Sequence, residues 1–455
     1  MKRARIFSRV CVAFFVAGVV SVAGLTAAES EEPPGLTAAE AIVRSVTDVK
    51  LRLVLEEVLA RNPRVARLAA EASAAEQRAP QVKALPDPTA SLTWFLMSPQ
   101  TRVGPLRASV NISQSLPWFG TLKLEEQAAV WSAAASRARA EAVRLAVVTE
   151  ARVASIELQF LEAEDLVTRE DRATLEHYAE LALARYASGV GLDQAVIKIQ
   201  AEITRADTRL LEIAVRRAEI AARLNALRDR PQTTPVPVAE PQSRRSMELV
   251  PEMLLRRALE ARPEMAAATA EVEASAARVE RSKKEYGPNL MVGLSYGFVN
   301  RRSDEAGRLN PPEGNGDDDL GLMAGFSLPV WRSKLAAGVE EGSARRLAAE
   351  EGRREATAAI DGELGDLVHR LPLLTEQVQL YDNVLIVQAN QSLQSAESAY
   401  ASGTANALDL LDAERVLLQV RIAAERVRSD LDVAYARLEG VIARPLVPVD
   451  GEVDQ

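Results

Sequence analysis

A series of short motifs in the first half of this chain recurs, in the same order, roughly 200 residues later. The matching pairs are Leu59–Pro63 (LARNP) with Leu259–Pro263 (LEARP), Leu116–Trp118 with Leu328–Trp331, and Tyr186–Gly189 with Tyr400–Gly403, both YASG. Three anchors in one order indicate two copies of one structural unit. Any fold for this chain must therefore be built from a duplicated unit.

A proline-rich stretch, Pro231–Pro241 (PQTTPVPVAEP), lies between the two copies. It cannot be helical throughout, because each proline lacks an amide donor and clashes with the preceding turn. We expect a first repeat at residues 29–230, a linker at 231–247, a second repeat at 248–445 and a C-terminal tail at 446–455.

The N-terminus has the pattern of a targeting segment. Four basic residues among the first nine precede an apolar run, Val10–Val20, and small residues end at Ala28. This pattern predicts a secretory signal peptide over residues 1–28. The apolar run is shorter than the roughly 20 residues that a membrane-spanning helix needs. The only cysteine, Cys11, lies within it, which excludes a disulfide scaffold and cysteine-based metal or redox chemistry.

The composition narrows the class of protein further. The chain has 55 basic and 64 acidic residues, a net charge of -9, which argues against nucleic acid as a partner. It is 47% hydrophobic but only 4% aromatic, and it is rich in Ala, Leu, Glu and Arg. Such a composition favours long helices over compact enzyme domains.

Each copy also contains two runs in which apolar residues alternate with small or polar ones. These runs predict β-strands near residues 89–97 and 106–114 in the first repeat, and near 290–299 and 320–328 in the second. Each has about 9 residues, the length at which a tilted strand crosses a bilayer. The segments that join the strand pairs, 98–105 and 300–319, show no helical pattern and suit the outer face.

The remaining segments predict very long helices. Between Gly120 and Gly189 there is no proline, and a continuous helix of that length would reach roughly 100 Å. The last helix carries apolar residues at spacings of three and four, at Leu410, Ala413, Leu417, Val420, Ala424, Val427, Leu431, Ala434, Leu438 and Val441. Such a seam requires partner helices. A similar seam over 199–227 is broken at Arg217.

The strands set a condition on assembly. Four strands cannot close a barrel, and open sheet edges are not tolerated in hydrocarbon. Two chains would give eight strands with a filled interior, whereas three would give twelve strands around a water-filled lumen. We therefore expect a mainly α chain with a small β part, which contributes four transmembrane strands to a trimeric twelve-stranded barrel above a tube of coiled helices.

Several motifs together resemble the TolC-like outer-membrane efflux proteins. They are Leu85–Pro88 (LPDP), Gln114–Gly120 (QSLPWFG), the paired YASG turns, and Gly403-Thr404 followed by Leu408–Ala413 (LDLLDA). The resemblance implies a homotrimer in outer-membrane lipid, continued by a helical periplasmic tunnel. It also implies docking onto an inner-membrane efflux pump through a periplasmic adaptor protein.

Two carboxylates, Asp409 and Asp412, match positions where this family has tip carboxylates that face the bore. A trimer would bring six of them together, and such a ring attracts cations. The alternative is that both are first-turn carboxylates, which the helix dipole favours. Ala405 departs from the family, because relatives often place there a basic residue that helps to lock the tip.

The YASG turns supply four candidates for contact with the adaptor: Tyr186, Gly189, Tyr400 and Gly403. A glycine can take the left-handed conformation that ends a long helix and starts a hairpin. Simple turn chemistry is an equal alternative for the glycines, and packing beneath the turn is the alternative for the tyrosines.

Two other classes of function compete with a channel. One is a periplasmic structural or adaptor-like coiled-coil protein, for which the seams alone would suffice. The other is a hydrolase, because Gly293–Gly297 fits G-x-S-x-G, but that motif requires a strand-to-helix turn and here lies within an alternating run. In a hydrolase, Ser295 would lie beside a histidine.

The sequence predicts neither a cofactor nor a metal centre. The two histidines, His177 and His369, lie in helical segments without a nearby His or Cys partner. There is no P-loop, so energy for transport must come from another protein. The resemblance favours metal ions as cargo, while drugs and polypeptides remain open.

Overall fold

The computed structural model of the chain describes residues 36–187, 193–240 and 250–446. The predicted signal peptide at 1–28 and Gly189 lie outside these ranges. So do residues 241–247 of the predicted linker and residues 447–455 of the predicted C-terminal tail.

Each half of the chain runs from short helices through a pair of strands to long helices. The first half contains α1 (Ala38–Ser45), α2 (Val49–Arg61), α3 (Pro63–Glu76), α4 (Arg78–Lys83), β1 (Thr89–Trp94), β2 (Leu106–Leu116), α5 (Thr121–Ala187) and α6 (Asp193–Leu227). The second half contains α7 (Pro251–Ala261), α8 (Pro263–Lys284), β3 (Leu290–Val299), α9 (Glu305–Leu309), β4 (Asp319–Phe326), α10 (Arg332–Leu380), a π-helical turn (Tyr381–Leu385), α11 (Ile386–Ala401) and α12 (Ala407–Ile442). The mainly α fold with a small β part, built on a duplication, is confirmed.

The repeated LARNP and LEARP motifs mark helix starts. Pro63 begins α3 and Pro263 begins α8, at a position where a missing amide donor costs nothing. In the first copy the Asn62 side chain caps the helix by accepting from the amide nitrogens of Arg64 (3.0 Å) and Val65 (3.2 Å).

The four strands form one antiparallel sheet in the order β1-β2-β3-β4. The two copies meet at its centre, where Asn111 of β2 lies opposite Ser295 of β3. The observed strands differ from the predicted ones by a few residues at their ends. Neither β1 nor β4 has a second partner strand within the described ranges, so the sheet has two open edges.

The two faces of this sheet differ in chemistry, as the alternation predicted. Apolar residues share one face, in cross-strand rows such as Ala90, Ile112, Leu294 and Leu322, or Leu92, Val110, Tyr296 and Leu320. Mostly small or polar residues share the other, in rows such as Ser91, Asn111, Ser295 and Gly321, although Met323 ends the row of Thr89, Ser113 and Gly293. The apolar face is exposed in the single chain: Leu322 is 87% exposed and Trp94 is 65% exposed.

Helix α5 is the spine of the helical part. It packs against α3, α6, α8 and α12, so it contacts helices of both repeats. Across the described part of the chain, no helix combines the length and apolar content needed to cross a membrane.

The seam predicted for the last helix is buried along α12, apart from Val420, which is half-buried. The break in the first copy also has a partner, since Arg217 pairs with Glu162 of α5. A charged residue thus interrupts the α6 seam without being left unpaired.

The loop expected to lack helix, residues 300–319, contains the short helix α9, so that expectation was wrong. Asp304 precedes α9 and pairs with Arg302 at 2.6 Å. A single helical turn is too short for the periodicity of the sequence to reveal it.

Candidate gate at the helical tips

An apolar cluster joins the two helical hairpins near their tips. Its buried members come from α5, α6, α11 and α12: Leu175, Tyr178, Ala182, Ile199, Tyr400, Ala407, Leu410 and Leu411. Because both repeats contribute, this cluster holds the hairpin α5–α6 against the hairpin α11–α12.

The second YASG motif forms the turn between α11 and α12. Gly403 has φ +77°, a left-handed conformation that costs other residues strain. The amide of Thr404 donates to the carbonyl of Ala399 at 2.9 Å, which closes the helix end. Tyr400 is only 8% exposed and lies in the tip cluster. Gly403 therefore forms the turn, and Tyr400 packs beneath it.

Arg185, at the end of α5, fastens the tip of the other repeat. Its guanidinium donates to the carbonyl of Tyr400 at 2.6 Å and to that of Ala401 at 3.1 Å. It also lies over the Tyr400 ring, 4.1 Å from the centroid, in a cation–π contact. Sequence reasoning missed this residue. The sequence did contain one sign of it, a difference between the two copies. Arg185 precedes the first YASG motif, whereas Ala399 precedes the second.

A second link joins the same two helices. The hydroxyl of Tyr178 on α5 donates to Glu397 Oε1 on α11 at 2.6 Å. Burial, together with the neighbouring Glu397 carboxylate, raises the pKa of Tyr178. The phenol therefore stays protonated and remains the donor. Ala405 cannot supply the basic side chain with which relatives lock the tip. The contacts of Arg185 and Tyr178 join α5 to α11 in this part of the chain instead.

The two candidate gate carboxylates differ in their surroundings. Asp409 is exposed and completes a capping box with Asn406: its Oδ2 accepts from the Asn406 amide at 3.1 Å. Asp412 is also exposed, and within the described residues its carboxylate makes no hydrogen bond or ion pair. Asp409 thus has a structural role of its own, whereas the structure gives Asp412 none.

The two YASG tyrosines are not equivalent. Tyr186 is 48% exposed, whereas its counterpart Tyr400 is buried. Of the four candidates for adaptor contact, Tyr186 and Gly403 are exposed, Tyr400 is covered, and Gly189 is outside the described residues.

The hydrolase motif has no catalytic geometry. Ser295 lies within β3, and its hydroxyl donates to the carbonyl of Gly321 on β4 at 3.3 Å. His177 and His369 lie on the helices α5 and α10. In the described part of the chain, no group of three or more His, Cys, Asp or Glu side chains is arranged to hold a metal ion.

Comparison with protein families then identifies the chain. The family model described as outer membrane efflux protein matches residues 54–228 and 254–444, once in each repeat. The chain belongs to the outer membrane efflux protein family. A comparison with curated protein sequences gives no match.

Solved structures of similar fold support this assignment. The outer membrane protein VceC of Vibrio cholerae has 21% identity and a TM-score of 0.73, over 88% of this chain and 97% of that one. The CmeC outer membrane channel of Campylobacter jejuni has 13% identity and a TM-score of 0.73, over 87% and 86%. The open state of the MtrE outer membrane channel of Neisseria gonorrhoeae has 17% identity and a TM-score of 0.70, over 87% and 89%.

The chain is therefore an outer-membrane efflux channel with a large periplasmic helical part. It is not an enzyme, because its family consists of efflux channels. The coiled-coil alternative fails as well, since it leaves the amphipathic four-stranded sheet without a role.

Proposed function

We propose that three copies of this chain join edge to edge through β1 and β4 into a twelve-stranded barrel, and that their helices continue it as a tunnel. One observation carries the proposal: an amphipathic sheet with two open edges and an exposed apolar face. Exposed strand edges pair with other strands, and hydrocarbon permits no unpaired edge. Neighbouring copies supply the missing partners.

The chemistry of the two faces decides which face of the sheet points outward to lipid and which points inward to the bore. The face with Leu92, Val110 and Leu320 contacts lipid, and the face with Ser91, Asn111 and Ser295 lines the bore. A lining of small hydroxyl and amide side chains leaves the lumen wide and wet.

The gate lies at the periplasmic tips, where Asp409 and Asp412 form a ring around the bore. Six carboxylates in a trimer favour cations at the narrow end. The links from Arg185 to Tyr400 and from Tyr178 to Glu397 hold the closed tip within each chain. Opening requires the two hairpins to separate at these links.

The turns at the tips are the docking site for a periplasmic adaptor, which connects the channel to an inner-membrane pump. Tyr186 and Gly403 offer exposed surface for this contact. For Gly189 the proposal rests on the repeated YASG motif alone, and Tyr400 supports the second turn by packing in the tip cluster.

The test is membrane fractionation followed by conductance. Purified full-length protein should be recovered from the outer membrane as a species three times the mass of one chain, and it should conduct ions in a planar bilayer. Recovery as a soluble periplasmic monomer, or a trimer that conducts no ions under any condition, would contradict the proposal.

A further inference from the structure

A cavity of about 440 Å³ lies where α5, α6 and α12 meet, further from the tips than the apolar cluster. Of the four acidic side chains that line it, two are buried and lie on different helices: Asp171 of α5 and Glu414 of α12. Each is only 6% exposed. Such burial is unusual for carboxyl groups that are not paired with a basic side chain.

The two carboxyl groups lie within hydrogen-bonding reach of each other. Glu414 Oε2 is buried and has no hydrogen-bond donor among the described residues. Two ionised carboxylates only accept hydrogen bonds, so they cannot satisfy each other. One proton held between them supplies the missing donor and removes one of two buried like charges.

The charged groups that face the pair come from every helix packed around it. They are Arg205, Arg209, Glu202 and Glu212 of α6, Glu397 of α11, and Arg415 and Arg421 of α12, and the titratable phenol of Tyr178 on α5 interacts with both carboxyl groups as well. The arginines are engaged elsewhere: Arg209 and Arg421 pair with Glu164 and Glu170, and both Arg205 and Arg415 pair with Glu202. The carboxyl pair is thus left without a dedicated counter-charge.

Burial raises the pKa of Asp171 to about 6 and that of Glu414 to about 7. Arg209 and Arg421 oppose this rise for Asp171, whereas Glu202 adds to it. For Glu414 the second cause is the neighbouring Asp171, and Glu397 adds to the rise. The pair therefore gains and loses its proton near neutral pH.

We propose that Asp171 and Glu414 form a proton-dependent latch between α5 and α12. With a shared proton, the pair holds the hairpin α11–α12 against α5. Without it, two buried like charges repel and the hairpin loosens. This inference rests on the proposed gate at the tips. The latch makes the channel harder to open in acid and easier to open as the pH rises past neutral.

The test compares the pH dependence of the full-length channel with that of a Glu414→Gln variant. Glutamine keeps the shape and provides a permanent donor to Asp171. Between about pH 5 and about pH 8, the ratio of open to closed channels should rise at least about tenfold in the wild type, the equivalent of one pKa unit. Glu414→Gln should stay in its acid-like state throughout. The matched control, Glu212→Gln, lines the same cavity from an exposed position and should keep the wild-type response.

A second readout does not depend on conduction. Hydrogen exchange of residues 393–412 in the purified protein should be faster at about pH 8 than at about pH 5 in the wild type, and unchanged in Glu414→Gln. Failure to conduct with this exchange pattern intact would reject the proposed channel assembly but keep the latch. An exchange response that is equal in wild type and Glu414→Gln, or absent from the wild type, would overturn the latch.

Discussion

Helices α5 and α12 contact each other through two buried polar pairs of opposite character. Far from the tips, Arg152 of α5 pairs with Glu439 of α12. Roughly 30 Å further along α5, Asp171 faces Glu414. The first pair joins opposite charges and the second joins like groups that need a proton. We therefore propose that one pair of helices is joined independently of pH at one end (the permanent contact) and in a pH-dependent way near the proposed gate (the conditional contact).

The permanent contact is reinforced by its surroundings. Glu439 Oε1 also accepts from the amide of Leu446 at 2.8 Å. The α12 backbone approaches α5 closely at Gly440, where a Cβ would lie 2.7 Å from Thr149 Oγ1. Close packing and an ion pair together make this end of the contact rigid.

The largest effect is expected from breaking the permanent contact. Glu439→Ala leaves Arg152 as an unpaired charge in a buried site, which should lower the free energy of unfolding by about 3–5 kcal/mol. Chemical denaturation followed by circular dichroism measures this. The control is Glu157→Ala, which removes a more exposed α5–α12 pair with Arg426 and should cost only about 0.2–1 kcal/mol. Equal losses in both variants would contradict the distinction.

The conditional contact should respond to pH. Its carboxyl groups have ordinary pKa values of 3.8 and 4.5 in the unfolded chain and raised values of about 6 and about 7 in the folded protein. The folded state therefore holds the proton more tightly. Its stabilising contribution is fully present below about pH 4 and is lost as the pH rises through about 6 to 7.

For the one shared proton, a shift of about two pKa units corresponds to an expected loss of about 3 kcal/mol. It is measured as the free energy of unfolding at about pH 4 and about pH 7.5. Glu414→Gln should remove most of this loss. If Glu414→Gln instead loses more stability than the wild type over this pH range, the effect has the opposite sign and the shared proton is rejected.

A smaller effect is expected at the Arg185 link. Arg185→Ala removes two charge-assisted hydrogen bonds and the cation–π contact with Tyr400, so the tip should lose about 2 kcal/mol of local stability. Hydrogen exchange of α11 reports this loss. Arg169→Ala, which removes an exposed pair within α5, should leave that exchange unchanged.

The smallest effects separate the two gate carboxylates. Asp409→Ala removes half of a capping box and should destabilise the start of α12 by about 1 kcal/mol. Asp412→Ala should cost nothing measurable, yet it should lower the preference of the channel for cations in bilayer recordings. If Asp412→Ala leaves ion selectivity unchanged, the ring of carboxylates at the bore is not where we place it.

Patterns of short period were readable in the sequence, whereas contacts between distant residues were not. The alternation around Leu92, Val110 and Leu294 gave the strands and their two faces, since each side chain's face follows from its position in the run. The spacing from Leu410 to Val441 gave the buried seam of α12 for the same reason.

The contacts that link the helices at the tips could not be predicted from the sequence. Arg185 and Tyr400 are 215 residues apart, and the sequence does not fix the rotation of two long helices about their axes. Glu414 follows the seam residue Ala413 and gives no sign that it faces Asp171. Burial of a charged side chain depends on the helix opposite, which a single segment does not encode.

Closure between copies is tested most directly by cysteine cross-linking at the strand edges, in a chain whose only cysteine is Cys11. Ser91→Cys of β1 is combined in turn with Gly321→Cys, Met323→Cys and Gly325→Cys on the same face of β4. Within one chain these strands are separated by β2 and β3, roughly 14 Å, which exceeds the reach of a disulfide.

The control joins Asn111→Cys to Ser295→Cys, which lie opposite each other inside one sheet. We predict covalent dimers and trimers on a denaturing gel for at least one edge combination, and monomers alone for the control. Monomers alone from every edge combination, in protein recovered from the outer membrane, would contradict closure of the sheet by neighbouring copies.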